Sequence, residues 1–281
     1  PVFRHRRARP VRADQLADPR RRDHRPDTGE LMLILYDNLF AKTTLAGYAL
    51  SASTSATGYA VANIADWLDW DFWKPSASGV SYVEVQFTSA QTADTLAIYA
   101  HDIYTNGGSV KVKRYDGGAW TQVGATLTPA SNGLQILQFT SVADTRWRIE
   151  VTSTPASKLG VGFLGVALVL PYPQLGFAPP LVPATDTTIN RAAGGALMGV
   201  YGKPKVADLK VSIELQTPAW IRANWVPFMR HAARKAFIFA WDTAALTEAW
   251  WCWCECPLAN PEYTHPMFQK ADLTCKATDG L

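Results

Sequence analysis

Three carboxylates, Asp66, Asp69 and Asp71, are interleaved with the aromatic residues Trp67, Trp70, Phe72 and Trp73, and Lys74-Pro75 closes the run. Carboxylates gathered on a loop are ligands for a hard cation such as calcium, and an exposed indole offers an apolar face to a sugar ring. Asp66, Asp69, Trp70, Asp71 and Trp73 are therefore the candidate ligand-binding residues, for glycan or calcium. The plain alternative is a solvated turn whose tryptophans pack inward.

Cys252, Cys254, Cys256 and Cys275 invite a second chemistry. In an extended strand the outer two of the first three stand roughly 13 Å apart at ~3.3 Å per residue. Thiolates on one zinc ion lie within about 4 Å of each other. One strand cannot deliver all three, so no metal site is expected. A disulfide from Cys275 to one of them is compatible with neighbouring strands, and buried free thiols are the simpler expectation. Gly160, Gly162 and Gly165 match G-x-G-x-x-G. A dinucleotide site needs a helix to follow, whereas here a V-A-L-V-L run and then prolines follow, so a glycine-bearing strand is expected and no cofactor. His101-Asp102 has no serine or cysteine signature beside it, and H-E-x-x-H, P-loop and G-x-S-x-G motifs are absent. The expectation is a non-catalytic protein.

The elements that must position these residues read as short strands. Val83, Val85 and Phe87 alternate with Glu84 and Gln86, the period of a strand with one buried face. Similar strands are expected at 33–36, 49–54, 80–87, 95–101, 109–115, 120–124, 134–140, 146–151 and 161–170. Asn106-Gly107-Gly108, Asp116-Gly117-Gly118 and Ser131-Asn132-Gly133 supply turns between them. Prolines at 171, 173, 179, 180 and 183 then mark a joint. Beyond it, Leu209, Val211, Ile213 and Leu215 line one face of a strand. Thr217-Pro218 is a helix start, with Ile221, Trp225, Phe228 and Met229 at helical spacing and Pro227 expected to kink or split the helix. Strands are expected again at 236–241, 249–256 and 271–277. The expected division is a basic leader without stable structure at 1–31, a sandwich at 32–172, a joint at 173–184 and a second unit at 185–281.

Composition narrows the function classes. The 281-residue chain has a formal charge of +3. Residues 1–31 hold nine arginines against five acids, which leaves 18 basic and 19 acidic residues elsewhere. Nucleic-acid binding therefore has no support outside the leader. That leader reads as a basic arm, or as a non-native or upstream-translated segment, Met32 being the first methionine. It lacks the apolar stretch of a secretory signal. The longest apolar run, 161–170, is too short for membrane insertion, which takes ~20 residues.

The order of motifs over roughly 45–171 resembles the discoidin-like (galactose-binding-like) jelly roll. The residues that carry the resemblance are the Asn63–Asp66 turn, the Trp73-Lys74-Pro75 loop, the V-E-V-Q-F strand, D-T-L-A-I-Y-A-H-D, V-K-V-K-R-Y-D-G-G-A-W, R-W-R-I-E-V and V-G-F-L-G-V-A-L. Such domains use the loop end for calcium and for sugars. Residues 185–278 resemble the ring-forming distal-tail and tail-tube proteins of phages. Arg191, Gly194 and Gly195, the V-S-I-E-L strand, the W-I-x-x-N-W-x-x-F helix and K-A-F-I-F-A-W carry that resemblance. It implies a mainly β protein: a discoidin-like sandwich plus a second β-sandwich domain carrying one helix. It also implies a structural subunit of a phage tail tip or baseplate, assembled in the host cytoplasm into a ring of copies of itself, most often a hexamer. Its neighbours would be tail-tube and tail-tip proteins, and host surface glycan would be a further partner. Trp220, Trp225, Trp251 and Trp253 are the expected ring contacts, since the second unit carries more aromatic surface than a small sandwich readily buries. The alternative function is a glycan-binding host-recognition module of a virion or a cell-surface protein.

Overall fold

A computed structural model describes residues 31–170, 179, 185–204 and 206–279. The expected leader (except Leu31) and joint (except Pro179) lie outside these residues. The chain is mainly β, built of antiparallel sheets in a sandwich with one helical segment. In chain order the strands are β1 (Met32–Leu35), β2 (Ala49–Ala52), β3 (Gly79–His101), β4 (Ser109–Asp116), β5 (Ala119–Leu127), β6 (Gln135–Ser153), β7 (Leu159–Gly165) and β8 (Leu168–Leu170). There follow β9 (Thr185–Arg191), β10 (Leu197–Pro204), β11 (Ala207–Gln216), β12 (Phe237–Ala240), β13 (Ala249–Trp253), β14 (Glu262–His265) and β15 (Phe268–Asp279).

The sandwich is organised by one long antiparallel ribbon. β3 and β6 pair from Gly79↔Ser153 to Ile98↔Gln135, with register irregularities around Gln86–Gln91 and Ala93–Thr95. The first half of β3 also pairs with β2, and the second half of β6 with β4, which β5 flanks. The second half of β3 pairs with β7. Val83, Val85 and Phe87 from one half, and Leu96 and Ile98 from the other, share one core with Trp147, Ile149 and Val151. The ribbon therefore serves both layers of the sandwich. The segments expected as separate strands at 80–87 and 95–101, and at 134–140 and 146–151, are continuous strands that bend at bulges.

Two strands expected in the sandwich belong to the other sheet. The order of that sheet is β11-β15-β13-β12-β1-β8, with β14 also on β15. β1 sits between β12 and β8, so residues 32–35 and 168–170 pair beside the second unit's strands. The reason is legible in burial. All four residues of β1 and all four of β12 are buried, the pattern of strands covered on both faces. On one face Met32, Ile34, Phe237, Phe239 and Cys252 pack with Ile221, Trp225 and Phe228 of the helical segment. On the other, Leu33, Leu35, Ile238, Ala240 and Trp251 pack with Trp67, Ala97, Val161 and Phe163 of the sandwich.

The helical segment begins as expected, with the Thr217 side chain accepting the Trp220 amide at 3.2 Å. It runs as α1 (Pro218–Trp220), a π turn (Ile221–Trp225) and α2 (Val226–Ala232). Pro227, which has no amide hydrogen to donate, sits at the start of α2, and the wider π turn absorbs the disruption. β9 and β10 form a separate two-stranded hairpin.

Candidate functional site

The loop that links the 3-10 turn at Val61–Ala65 to β3 carries the candidate residues, and the structure sorts them by burial. Asp66 Oδ1 accepts the Leu68 amide at 2.9 Å. Burial pushes its carboxyl above the usual carboxylate range, against the Leu68 amide, which holds it down. Asp71 Oδ1 accepts from Asn63 Nδ2 and from the Phe72 amide, so this carboxylate closes the turn. Trp73 is fully buried. Its indole N–H donates to Thr54 O at 3.1 Å and Ser55 Oγ at 3.2 Å, and its backbone pairs with Leu159. Trp73 is thus a core residue, a correction to its assignment as a ligand contact: a bulky ring between two strands is more stable inside. Trp67, too, is turned inward. Trp70 is left as the accessible ring, 68% exposed. No group of three or more His, Cys, Asp or Glu among the described residues is arranged to hold a metal ion.

Neighbouring loops brace this end of the sandwich. The Lys158 amide donates to Asp102 Oδ1 at 2.8 Å, and Lys158 Nζ lies 4.2 Å from the centre of the Phe72 ring. Asn106 Nδ2 donates to Ser157 Oγ at 3.0 Å, and Asn132 Nδ2 to Thr105 Oγ1 at 2.6 Å. His101, at the end of β3, is buried, and its Nδ1 accepts the Ile103 amide at 3.2 Å. Burial pushes its pKa down to about 4. Tyr104 stands exposed on the same loop.

Sequence reasoning missed two features. Asn38, just after β1, is buried and bridges the chain to β7. Its Nδ2 donates to Gly162 O at 2.8 Å, and its Oδ1 accepts the amides of Phe40 at 3.1 Å and Leu164 at 3.2 Å. Nothing around a lone asparagine in sequence signals such a role. The second feature is a ladder on the sandwich's outer face. The Arg148 guanidinium lies 3.6 Å from the Tyr82 ring centre and 3.8 Å from that of Trp120, and Arg146 lies 4.3 Å from Tyr115. Glu84 accepts from both arginines. The outward alternation of Tyr82 and Glu84, and of Arg146 and Arg148, was the available signal.

The expected ring contacts are redistributed. Trp225 and Trp251 are buried within the chain, and Trp220 and Trp253 are partly buried against its cores. The aromatic surplus is covered because β1, β8 and the sandwich all pack onto this sheet, which the assumption of a self-contained second unit left out. Cys252 and Cys275 are buried, Cys254 half-buried and Cys256 exposed, all as free thiols. Desolvation raises the Cys252 thiol well above its usual range and pushes Cys254 up to about 12, so neither is a ready nucleophile. Gly165 is needed because a Cβ there would stand 2.5 Å from Asp37 O; the G-x-G-x-x-G match reflects packing of β7. A cleft of about 430 Å³ lies among Asp208, Lys210, Glu255, Leu258, Asp272 and Lys276. Within it Lys276 pairs with Asp208 at 2.8 Å and with Glu255 at 3.8 Å. No helix among the described residues is long and apolar enough to cross a membrane.

No protein-family model matches the chain, and no curated protein matches it. Among solved structures it is similar to a GH29 fucosidase of Ruminococcus gnavus in complex with fucose. The match is 16% identical, covers 47% of this chain and 27% of that one, and has a TM-score of 0.39. It is also similar to a chitosan-binding module from a chitosanase/glucanase of Paenibacillus sp. IK-5, at 21% identity, covering 48% of this chain and 98% of that one, with a TM-score of 0.34. A third is the module CpGH89CBM32-5 of Clostridium perfringens, in complex with GalNAc-β-1,3-galactose, at 9% identity over 42% of this chain and 94% of that one, with a TM-score of 0.37. The chain spans about a quarter of the fucosidase's length. The resemblance of residues 185–278 to phage tail proteins finds no support in these comparisons.

Proposed function

We propose that this chain is a non-catalytic glycan-binding protein, with Trp70 as the platform on which a sugar ring stacks. The observation that carries the reading is the exposure of Trp70 on a loop whose Asp66, Asp71 and Trp73 are held by hydrogen bonds. Exposing most of an indole forgoes up to about 1.5–3 kcal/mol of burial, and a loop held at Asp66, Asp71 and Trp73 lowers the ordering cost of binding. On that scale a single stacked ring supports dissociation constants in the range of several to tens of millimolar, about 1.4 kcal/mol per tenfold. The reading rests on ring stacking and assigns calcium no role; Asp66 and Asp71 each use one carboxylate oxygen to fix the loop. Titration with chitosan oligosaccharides, pectin fragments and GalNAc-β-1,3-galactose tests it. At least one should bind the full chain and be lost in Trp70→Ala, whose melting temperature should stay close to that of the wild type. Binding that survives Trp70→Ala would move the site elsewhere.

A second reading, a structural subunit of a phage tail tip or baseplate, is favoured by the β9–β10 hairpin. Ile189, Leu197, Met198, Val200 and Tyr201 on this ribbon are each more than half exposed. An isolated two-stranded hairpin is marginal in water, and clustered apolar side chains mark a protein contact. On this reading copies of the chain assemble in a closed ring, a hexamer by resemblance, next to tail-tube and tail-tip proteins in a virion. Native mass spectrometry should then show an oligomer that Met198→Glu dissociates; a wild-type protein that stays monomeric at micromolar concentration, and is missing from particles, rejects it.

A further inference from the structure

We infer that the sheet containing β13 sets how Trp70 is presented: Trp251 is a positioning residue for the ligand loop and acts through Trp67. For its binding consequence, this inference rests on the glycan reading above. Trp67 and Trp70 are three residues apart on one irregular loop, yet they face opposite environments. Trp70 faces solvent, whereas Trp67 is buried between the sandwich and the other sheet.

The backbone at Trp67 is strained. Its φ is 66°, in the left-handed region that bulky residues with a Cβ rarely occupy. Such a conformation persists where the surroundings over-determine it. Here they do, and most of them come from outside the loop. The Trp67 ring stacks on Trp251 at 5.5 Å between centroids and 24° between planes, and His231 meets it edge-on at 5.3 Å. Phe163 of β7 closes the third side at 6.1 Å. Trp251 is fixed in turn: it lies on β13, its backbone pairs with Ile238 and Thr278, and Tyr99 stacks on it at 5.1 Å. The buried indole N–H of Trp67 has no hydrogen-bond partner among the described residues. Ring packing, not a polar tie, therefore holds Trp67 in place. With Trp251 removed, the stack that offsets both the strain and the unpaired N–H is gone. The loop then relaxes toward negative φ at residue 67 and redirects residues 68–70, Trp70 among them. The bonds from Asn63 to Asp71 and Phe72, and the buried Trp73, hold only the far side of the loop.

The test compares the full chain with Trp251→Ala, Trp251→Phe and Trp67→Gly. Amide hydrogen exchange is followed over residues 66–73, with 109–127, at the far side of the sandwich, as reference. In Trp251→Ala, exchange over 66–73 should rise about tenfold or more while the reference is unchanged. Trp251→Phe, which keeps a stacking ring, should return to within about twofold of the wild type. Any of the three test sugars that binds the wild type should bind Trp251→Ala about tenfold more weakly. Unchanged exchange over 66–73 in Trp251→Ala overturns the inference. If that variant instead loses protection everywhere, Trp67→Gly decides: it tolerates φ 66° and leaves the sheet intact. Wild-type exchange over 66–73 in Trp67→Gly overturns the inference; faster exchange confined to the loop supports it. If no sugar binds the wild type, the glycan reading falls, and the exchange result still decides whether the sheet holds the loop.

Discussion

Acidification should destabilise the fold through His101, in a window that its burial sets. The ring is buried at the end of β3 and is held neutral, with Nδ1 accepting the Ile103 amide. Its folded pKa is about 4, against an ordinary 6.5, with desolvation as the main cause. As pH falls below 6.5 the unfolded chain takes up a proton that the folded chain refuses, so unfolding gains. The stability contribution is complete above pH 6.5, declines down to about 4, and levels off below that. A gap of about 2.5 units at 1.36 kcal/mol each amounts to roughly 3 kcal/mol. His231, lowered by its own burial, adds a loss of the same sign. Asp66, whose carboxyl is raised by burial, has the opposite sign, regaining stability as it protonates. Comparison with His101→Asn cancels both, because the Asn oxygen can still accept the Ile103 amide while the titrating group is gone. Urea unfolding at pH 7.5, 6, 5 and 4.5 should show the variant's stability falling less steeply than the wild type's, by roughly 2.5 kcal/mol across the range, which stops short of the folded pKa. Two curves parallel to within about 0.5 kcal/mol would refute the reasoning.

Two further outcomes follow from buried side chains. Phe228→Ala removes a fully buried ring that meets Trp225 at 5.2 Å and Phe237 at 5.0 Å, and should cost about 3–5 kcal/mol in denaturant unfolding; a loss under about 1 kcal/mol would contradict its place in the core. Asn38→Ala leaves Gly162 O and the amides of Phe40 and Leu164 without their partner, so at least about 2 kcal/mol should be lost; a neutral result would mean that water replaces the side chain freely.

The sequence was most readable where a strand has one wet face. Val83, Val85 and Phe87 alternate with outward residues, as do Leu209, Val211 and Ile213, and these strands lie where the pattern places them; Leu215, expected on the same face as Leu209, is instead exposed, because the register shifts after Ile213 and its φ is 57°. It was least readable where both faces are covered. Met32–Leu35 and Phe237–Ala240 have no alternation to show which side faces what, so pattern alone cannot reveal that they are neighbours in one sheet. The bends in β3 and β6 were likewise hidden, because a bulge shifts register without interrupting the strand. At the candidate site, residue type marked the right loop but not the right ring. Trp67, Trp70 and Trp73 recur at a regular interval, yet the backbone there is irregular, and a left-handed φ at Trp67 sends its side chain to a different environment from that of Trp70.

On the proposed glycan reading, the topology bears on how weak sugar contacts act together. The chain leaves the large sheet after Leu35, builds the sandwich, and returns as β8 beside β1. The sandwich is therefore tied to the sheet by two covalent crossings, and a shared core of Leu33, Leu35, Trp67, Phe163, Ile238 and Trp251 fills the space between them. A module held in this way cannot swing as one on a linker does, so the direction of Trp70 is fixed relative to the sheet and to the β9–β10 hairpin's attachment at β11. On that reading, one stacked ring binds in the range of several to tens of millimolar. Where copies associate through their hairpins, several rings point in related directions, and avidity can exceed single-site affinity by about 10²–10⁴. The gain depends on assembly and not on any new sugar contact. Met198→Glu should therefore leave the dissociation constant for a soluble oligosaccharide unchanged while release from a glycan-coated surface becomes about 10²-fold faster or more. Equal surface lifetimes for the two proteins would show that the hairpin contributes nothing to recognition, and the glycan site would then act one ring at a time.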